Sequence, residues 1–542
     1  MKKLITGLLT ASLLLGSLGT MTALAEEPAN YNQDAVVTMA FNGPWDLICP
    51  LAATADYGDC IANPIFDRLV EEDGKGGYAP RLCESFELSD DGKIFTMHLQ
   101  QNAKWHDGEP FTADDVVFTF QLYSNANLTT SRRLFLQGIE GCDASGVELE
   151  PGSIHVEKVD DYTVNIYYAN PRSVPAIFTS NRYFTILPKH CLEDKDPATI
   201  LEDDFWTAPI GSGPFKFESQ VPGESVTYTA NPDYYLGAPK FNTLVIRVIT
   251  PANLTTAMMA GEVDVINGTL ANIPDADMEM AQEIEGYDTE AVAGTSSHYF
   301  VINNDVFNTP KIRKAFAMLL DKDAMIASGC YGNGEKVYTM YTEKNLYYDQ
   351  AVVDELGYEF DPEAAIEMLK EEGFDFDRTY KCCINDLAVR QAIMTVMQDT
   401  WAQYGLKLEI TTLDTQTCIA ETRDGTYDMW INGGSSADYA GLVTSFKDWV
   451  IIDENGDFGT YNLARVTDPT MMNLENALMA ATTQEEIQEI ATELQKVMLT
   501  DYNYVYIVGP YINTSISSRL HGVDRSMMLC RGFNFSDWYV EE

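Results

Sequence analysis

The chain has 542 residues, a formal net charge of −47, 45% hydrophobic and 11% aromatic residues. That length exceeds one ordinary core and implies two or three domains, and the apolar content excludes a disordered chain. The negative charge repels phosphate backbones and anionic lipid surfaces, which excludes a nucleic-acid partner.

Residues 1–25 read as a secretory signal peptide: Lys2 and Lys3, an apolar run from Leu4 to Leu15, then Ala23-Leu24-Ala25 as a small-residue cleavage site. The run is too short to span a bilayer comfortably. No cysteine stands near the cleavage site, so no lipid anchor is indicated. The expected location is periplasmic or extracellular, including the cell surface. Ten cysteines are scattered without a CxxC pair, so no zinc site is read from their spacing. Cys382 and Cys383 are adjacent, which strains a mutual disulfide. Export favours oxidised cysteines and an anaerobic habitat favours thiols; the sequence leaves both open.

Beyond the leader, strand and helix patterns alternate. "AVVTMAF" at 35–41 reads as a strand. "KIFTMHLQ" at 93–100 puts Phe95, Met97 and Leu99 on one face, the period of a half-buried strand. In "AKWHDGEPFTADDVVFTFQ" at 103–121, Asp107-Gly108 is turn chemistry. Thr112 then caps a helix whose first turn holds Asp114 and Asp115, with Val116, Val117 and Phe120 as its buried face. Capping explains the acids, and His106 has no second histidine or cysteine at ligand spacing, so this stretch reads as architecture. "YTVNIYYA" and "SVTYTA" alternate like strands, and "TLVIRVI" at 243–249 is dense enough for a buried one. "NLTTAMMAGE" and "KIRKAFAMLLDKDAMIASG" read as helices. "DPEAAIEMLKEEGF" is a helix with Asp361 as cap, Pro362 in its first turn and Gly373 at its end. "RQAIMTVMQDTWAQYG" leads into the strand "LKLEITTL", and "QEEIQEIATELQKVMLTD" is an amphipathic helix near the C-terminus. The fold class is α/β, with several mixed-sheet modules.

No GxSxG, HExxH, Walker A or GxGxxG motif occurs, and the six histidines are dispersed. "GSGP" at 211–214 is a turn. Carboxylates are numerous enough that acid–base pairs carry no information, which leaves an exported hydrolase as the weaker reading.

The order Trp-x-Asp-Gly-x-Pro-Phe-Thr-Ala-x-Asp-Val-Val at 105–117 resembles the signature segment of family 5 extracellular solute-binding proteins, the receptors of ABC importers for oligopeptides, dipeptides and nickel. The resemblance continues through "GSGPFKFESQVPGESVTYTANPDYYLGAPKFNTLVIRVI", "AMMAGEVDVING", "NNDVFNTPKIRKAFAMLLDKDAMI", "WAQYGLKLEI" and "RDGTYDMWINGGSSADY". It implies a two-lobed fold of the type II periplasmic-binding-protein kind. The first lobe would comprise residues 26–70, 208–295 and 508–542, with a subdomain at 71–207; the second would be 296–507. It implies capture rather than catalysis, without a cofactor or a resident metal. The solute would be a peptide, alternatively an oligosaccharide or a metal chelate, handed to a membrane permease by a monomeric receptor that closes about strands near 295 and 508.

The resemblance also implies where a ligand sits. Asp438 in "SSADY" corresponds to the aspartate that pairs with a peptide ammonium, with Tyr439 beside it. Ser435 and Ser436 supply donors, and glycines 433 and 434 allow close backbone approach. Trp430 and Asn432 stand where related receptors carry an arginine or tryptophan, a departure with a length difference. Arg390 is the nearest basic residue for a C-terminal carboxylate. Tyr57 and Gly58 come from the "ADYGD" loop, Asn267 from "VING", and Ser297 and Tyr299 from "SSHYF" at the lobe junction.

Overall fold

The computed structural model describes residues 30–542 apart from 44, 46, 53–55, 74–77, 131, 182–183, 436–457, 459–461, 482 and 530–532. The leader expected at 1–25 therefore lies outside the described residues. Two large sheets define two lobes. The first has seven strands in the spatial order Tyr287–Val292, Ile512–Ser517, Val265–Ile266, Val36–Phe41, Thr243–Val248, Ser225–Ala230 and Phe215–Val221. Val36–Phe41 runs parallel to both neighbours, with Val37, Met39 and Phe41 fully buried, as a strand covered on its core side requires. The second sheet has six strands: Gly334–Lys336, Tyr504–Pro510, Ser296–Ile302, Met429–Ser435, Thr379–Ile384 and Lys407–Thr412. The chain passes from the first sheet to the second between Val292 and Ser296. It returns across Tyr511, since one strand ends at Pro510 and the next begins at Ile512.

Buried ion pairs tie the separated segments of the first lobe together. Asp264, from "GEVDVING", accepts from Arg519 Nε at 2.6 Å, from Arg519 Nη2 at 2.7 Å and from the Thr38 N–H at 2.8 Å. One carboxylate thus joins three of the seven strands' chain segments. Tyr234 and Tyr235, from "NPDYY", both donate to Asp67 at 2.7 Å, while Arg81 reaches Glu71, the Tyr234 hydroxyl and the Phe533 carbonyl. The buried members, Asp264, Asp67, Glu71 and Arg81, each have partners, as charges away from water require, while Arg519 keeps about half its side chain exposed.

An antiparallel four-stranded sheet, Cys83–Leu88, Ile94–Leu99, Thr163–Tyr167 and Val156–Asp160, packs with the first sheet into one continuous apolar core. Residues 103–121 belong to this unit. The helix Ala113–Ser124 begins as expected, with a capping box in which the Thr112 side chain accepts from the Asp115 N–H and the Asp115 carboxylate accepts from the Thr112 N–H. Asp115 is 5% exposed; it accepts from the Thr112 N–H at 2.9 Å and from the Lys189 N–H at 3.0 Å. Burial raises its carboxyl pKa, opposed by those two N–H groups. His106 is also structural. Its Nε2–H donates to the Gly213 carbonyl at 3.0 Å, and its Nδ1 accepts from the Gly211 N–H at 3.2 Å, so the neutral ring clasps the "GSGP" turn. Gly211 and Gly213 press against the Ile65 backbone, where a Cβ has no room.

Two expected elements differ. "KIRKAFAMLLDKDAMIASG" forms two helices, Pro310–Met318 and Lys322–Gly329, because Asp321 accepts from the Ala324 N–H at 2.9 Å and caps the second. "ADYGD" is not a loop: residues from Asp56 onward form the helix Asp56–Ala62. Nine cysteines are free thiols, Cys382 and Cys383 among them; Cys530 lies outside the described residues. Among the described residues no helix is long and apolar enough to cross a membrane.

Asp115→Ala is expected to cost about 2–4 kcal/mol in urea unfolding, because it leaves two buried N–H groups unpaired. Thr112→Ala is expected to cost about 1 kcal/mol or less. Equal losses would contradict the larger share expected of the Asp115 carboxylate.

Burial holds the His106 imidazole down at about 4, against an ordinary value of 6.5, with the Gly213 bond opposing. Between those values the unfolded chain carries a proton there that the native chain lacks. The stability from His106 is therefore present above pH 6.5 and lost as pH falls toward 4. From pH 7.5 to pH 5 the native protein is expected to lose on the order of 2 kcal/mol more than His106→Gln in denaturant titrations. Parallel losses would contradict the neutral clasp.

Candidate ligand-binding site

The strand Ser296–Ile302 is the scaffold of the candidate site. It pairs antiparallel with Met429–Ser435 on one side and Tyr504–Pro510 on the other. Alternation sends Phe300, Ile302, Met429 and Ile431 into one apolar cluster, and Tyr299, Val301 and Trp430 into another on the opposite face. On that second face Tyr299 stands opposite Asn432. The Asn432 amide donates to the Tyr299 hydroxyl at 3.1 Å, and the Tyr299 ring lies 5.0 Å from that of Tyr506.

Arg390 reaches this pair from the first turn of the helix Ala388–Gln403. Its guanidinium donates to Asn385 Oδ1 at 2.6 Å, the Gly433 carbonyl at 3.3 Å and Asn432 Oδ1 at 3.4 Å. It is 4% exposed, and among the described residues no carboxylate pairs with it. Burial pulls its pKa below the ordinary arginine value, with Tyr299 and Cys418 opposing. A cavity of about 230 Å³ adjoins this cluster, lined by Tyr299, Val301, Thr415, Ile419, Trp430, Asn432, Leu463 and Tyr504. Its wall is mostly apolar with a few polar groups, the make-up of a small-molecule pocket.

Some of the buried polar atoms without a partner lie here. Among the described residues they include Ser297 Oγ, His298 Nδ1, Arg390 Nε and Trp430 Nε1. These four stand on one strand pair and its adjoining helix. Burial, reinforced by the Arg390 charge, holds His298 down at about 4, so its ring is neutral.

Trp430, Asn432, Arg390 and Tyr299 are thus brought together. Ser297 lies on the same strand but is 1% exposed. Gly433 serves a purpose other than ligand approach: a Cβ there meets the His298 ring, whereas Gly434 faces open space. Asn267 stands apart. It is wholly buried, its amide donating to the Met528 carbonyl at 2.9 Å and its oxygen accepting from the N–H groups of Thr269 and Leu270, so it holds a turn of the first lobe. Tyr57 and Gly58 belong to the helix Asp56–Ala62 rather than a loop. Ser435 ends its strand opposite Ser296, while Ser436, Asp438 and Tyr439 lie outside the described residues. Thr415, Ile419, Leu463 and Tyr504 were missed from the sequence. No motif singles them out in the sequence, and they meet only in the fold.

Residues 77–450 match the profile of the bacterial extracellular solute-binding proteins, family 5, middle region. A Brucella ovis protein whose name places it among ABC transporter peptide-binding proteins is 30% identical over 391 residues, 70% of this chain and 69% of that one. The dipeptide-binding protein of Escherichia coli is 28% identical over 397 residues, 69% of this chain and 71% of that one. The crystal structure of the ABC transporter substrate-binding protein CtaP from Listeria monocytogenes superposes with a TM-score of 0.81 at 23% identity, covering 94% of this chain and 100% of that one. These relatives are binding proteins, not enzymes. The two-lobed fold and the family profile lead to one conclusion: the chain belongs to the bacterial extracellular solute-binding proteins, family 5.

Proposed function

We propose that this protein is the peptide receptor of an ABC importer, taking up its ligand between the lobes and handing it to a membrane permease. The observation that carries the reading is Arg390, a buried guanidinium with no carboxylate among the described residues, held by Asn385, Asn432 and Gly433 beside the cavity. A planar fork fixed in this way matches a carboxylate. In this reading the peptide C-terminus docks on Arg390, and a side chain enters the cavity walled by Trp430, Tyr299 and Ile419. Asp438, on its sequence position alone, takes the ammonium end, with Ser435, Ser436 and Tyr439 as its neighbours in sequence.

The names of the relatives support a peptide: those quoted above, the oligopeptide-binding protein AppA of Bacillus subtilis at 25% identity over 434 residues, and the same protein's crystal structure with a nonapeptide, at a TM-score of 0.70. The proposed lobes are 26–70 with 208–295 and the C-terminal strand, a subdomain at 71–207, and 296 onward. The strand Tyr504–Pro510, which pairs within the second sheet past residue 508, supports moving the proposed second passage from 508 to Tyr511. Closure about the two passages 293–295 and 511 then buries the ligand.

Calorimetry of Arg390→Met with free and C-terminally amidated peptides tests this. Closure desolvates the ion pair, so loss of one partner costs roughly 3–5 kcal/mol, about a hundred- to several-thousand-fold in affinity. The native protein is expected to reject the amide, and the variant to bind both peptides equally poorly. Native binding of amidated peptides at undiminished affinity would remove Arg390 from the site.

Asn432→Asp places a carboxylate where the amide oxygen stands 3.4 Å from Arg390. An internal ion pair then competes with the ligand, and free peptides are expected to bind at least about tenfold more weakly, or 1.4 kcal/mol. Unchanged affinity would contradict the shared geometry of Arg390 and Asn432.

A further inference from the structure

Far along the chain from the peptide site, the fold brings together three donors that the sequence keeps apart. Asp107 sits in the turn after Trp105, while His190 and Cys191 are consecutive residues of the short helix Lys189–Leu192. One ligand atom from each lies within 4.8 Å of the other two. His190 Nε2 is 2.8 Å from Asp107 Oδ2, with both side chains about one-third exposed. Among the described residues no hydrogen bond engages the Cys191 thiol.

We propose that Asp107, His190 and Cys191 form a binding site for one borderline-soft divalent cation, with zinc the best match. A carboxylate oxygen, an imidazole nitrogen and a thiolate sulfur are together the donor set zinc takes. Calcium and magnesium, which take oxygen ligands, find one protein oxygen donor here. Three protein ligands leave a fourth tetrahedral position for water. Ligand atoms on a tetrahedral zinc stand roughly 3.3–3.6 Å apart. The present spacing therefore needs only a slight opening of the His190–Asp107 contact and an approach of the thiol.

The backbone carrying the ligands is held in place. The Trp105 N–H bonds the Glu109 carbonyl at 2.8 Å, the Gly108 N–H bonds the Trp105 carbonyl at 2.9 Å, and the neighbouring His106 clasps residues 211–213. The helix bearing His190 and Cys191 is fixed by Asp115, which accepts from the Lys189 N–H at 3.0 Å. A site on such a frame is positioned in advance. Asp107 and His190 are each about one-third exposed, so the donors are reachable from solvent. The bound cation would staple this turn to the helix, a structural role separate from peptide capture.

The test is a cobalt(II) titration of the reduced mature protein. A site of this composition gives a thiolate-to-cobalt charge-transfer band in the near ultraviolet and visible bands of tetrahedral intensity, both removed by one equivalent of zinc. Cys191→Ser is expected to lose the charge-transfer band. His190→Gln is expected to weaken cobalt binding by more than the roughly 10–100-fold that loss of an outer-shell partner costs. Arg390→Met is expected to keep both the band and the affinity, which separates this site from the peptide site. The idea is overturned if no charge-transfer band forms, if the band survives in Cys191→Ser, or if His190→Gln binds cobalt as the native protein does. The last result would make His190 a bystander and leave at most the thiol and the carboxylate as ligands.

Discussion

The strand Ser296–Ile302 is the constraint on which the second lobe and its candidate site depend. It is hydrogen-bonded on both edges, to Met429–Ser435 and to Tyr504–Pro510, and its residues from Ser297 onward are buried. A strand fixed on two sides cannot slip its register without turning every side chain to the wrong face. That register sets Tyr299 against Asn432, brings Gly433 to the His298 ring and leaves the Gly433 carbonyl for Arg390. The same strand follows the first passage between the sheets, and its neighbour Tyr504–Pro510 precedes the second. Any rotation of the lobes about those passages acts directly on the strands that hold the site.

The treatment of buried charge separates framework from site. Arg81 is paired with Glu71, Arg132 with Asp59, and Asp264 with Arg519. The second and third pairs join segments 73 and 255 residues apart, and in each pair the buried carboxylate meets an opposite charge. Arg390 is as deeply buried, yet its acceptors are two amide oxygens and a backbone carbonyl. Neutral acceptors orient a guanidinium without neutralising it, so the charge stays available to an anion that enters beside it. The unpartnered Trp430 Nε1 and Ser297 Oγ lie nearby.

Much of the fold was legible because local signals and tertiary packing agree. The strand at 94–99 alternates in burial as its sequence does, and the helix Pro362–Glu371 has its Asp361 cap, with Gly373 at φ +69° after it. The helix Gln484–Asp501 coincides with its amphipathic run. Where the reading missed, a competing local device or a long-range contact decided. Asp321 capped a new helix inside an apolar run that reads as continuous. The Thr112 cap is one half of a capping box whose other half, the Asp115 carboxylate, also takes the Lys189 N–H from 74 residues away. Asn267 looked like a loop residue available to a ligand, yet the Met528 carbonyl 261 residues on takes its amide. Arg390, Asn432 and Tyr299 were legible as separate candidates, but their union depends on sheet register. The meeting of Asp107 with His190 and Cys191 spans 83 residues and leaves no spacing to read.

The central claim is that Arg390 receives the carboxylate of a bound peptide. The most direct measurement is a crystal structure of the mature protein grown with a short peptide. The account predicts the lobes closed over the ligand, with both C-terminal oxygens about 2.7–2.9 Å from the Arg390 guanidinium nitrogens and a side chain in the cavity beside Trp430. A peptide bound with its carboxylate on another group, or turned toward solvent while Arg390 keeps only Asn385, Asn432 and Gly433, would contradict it.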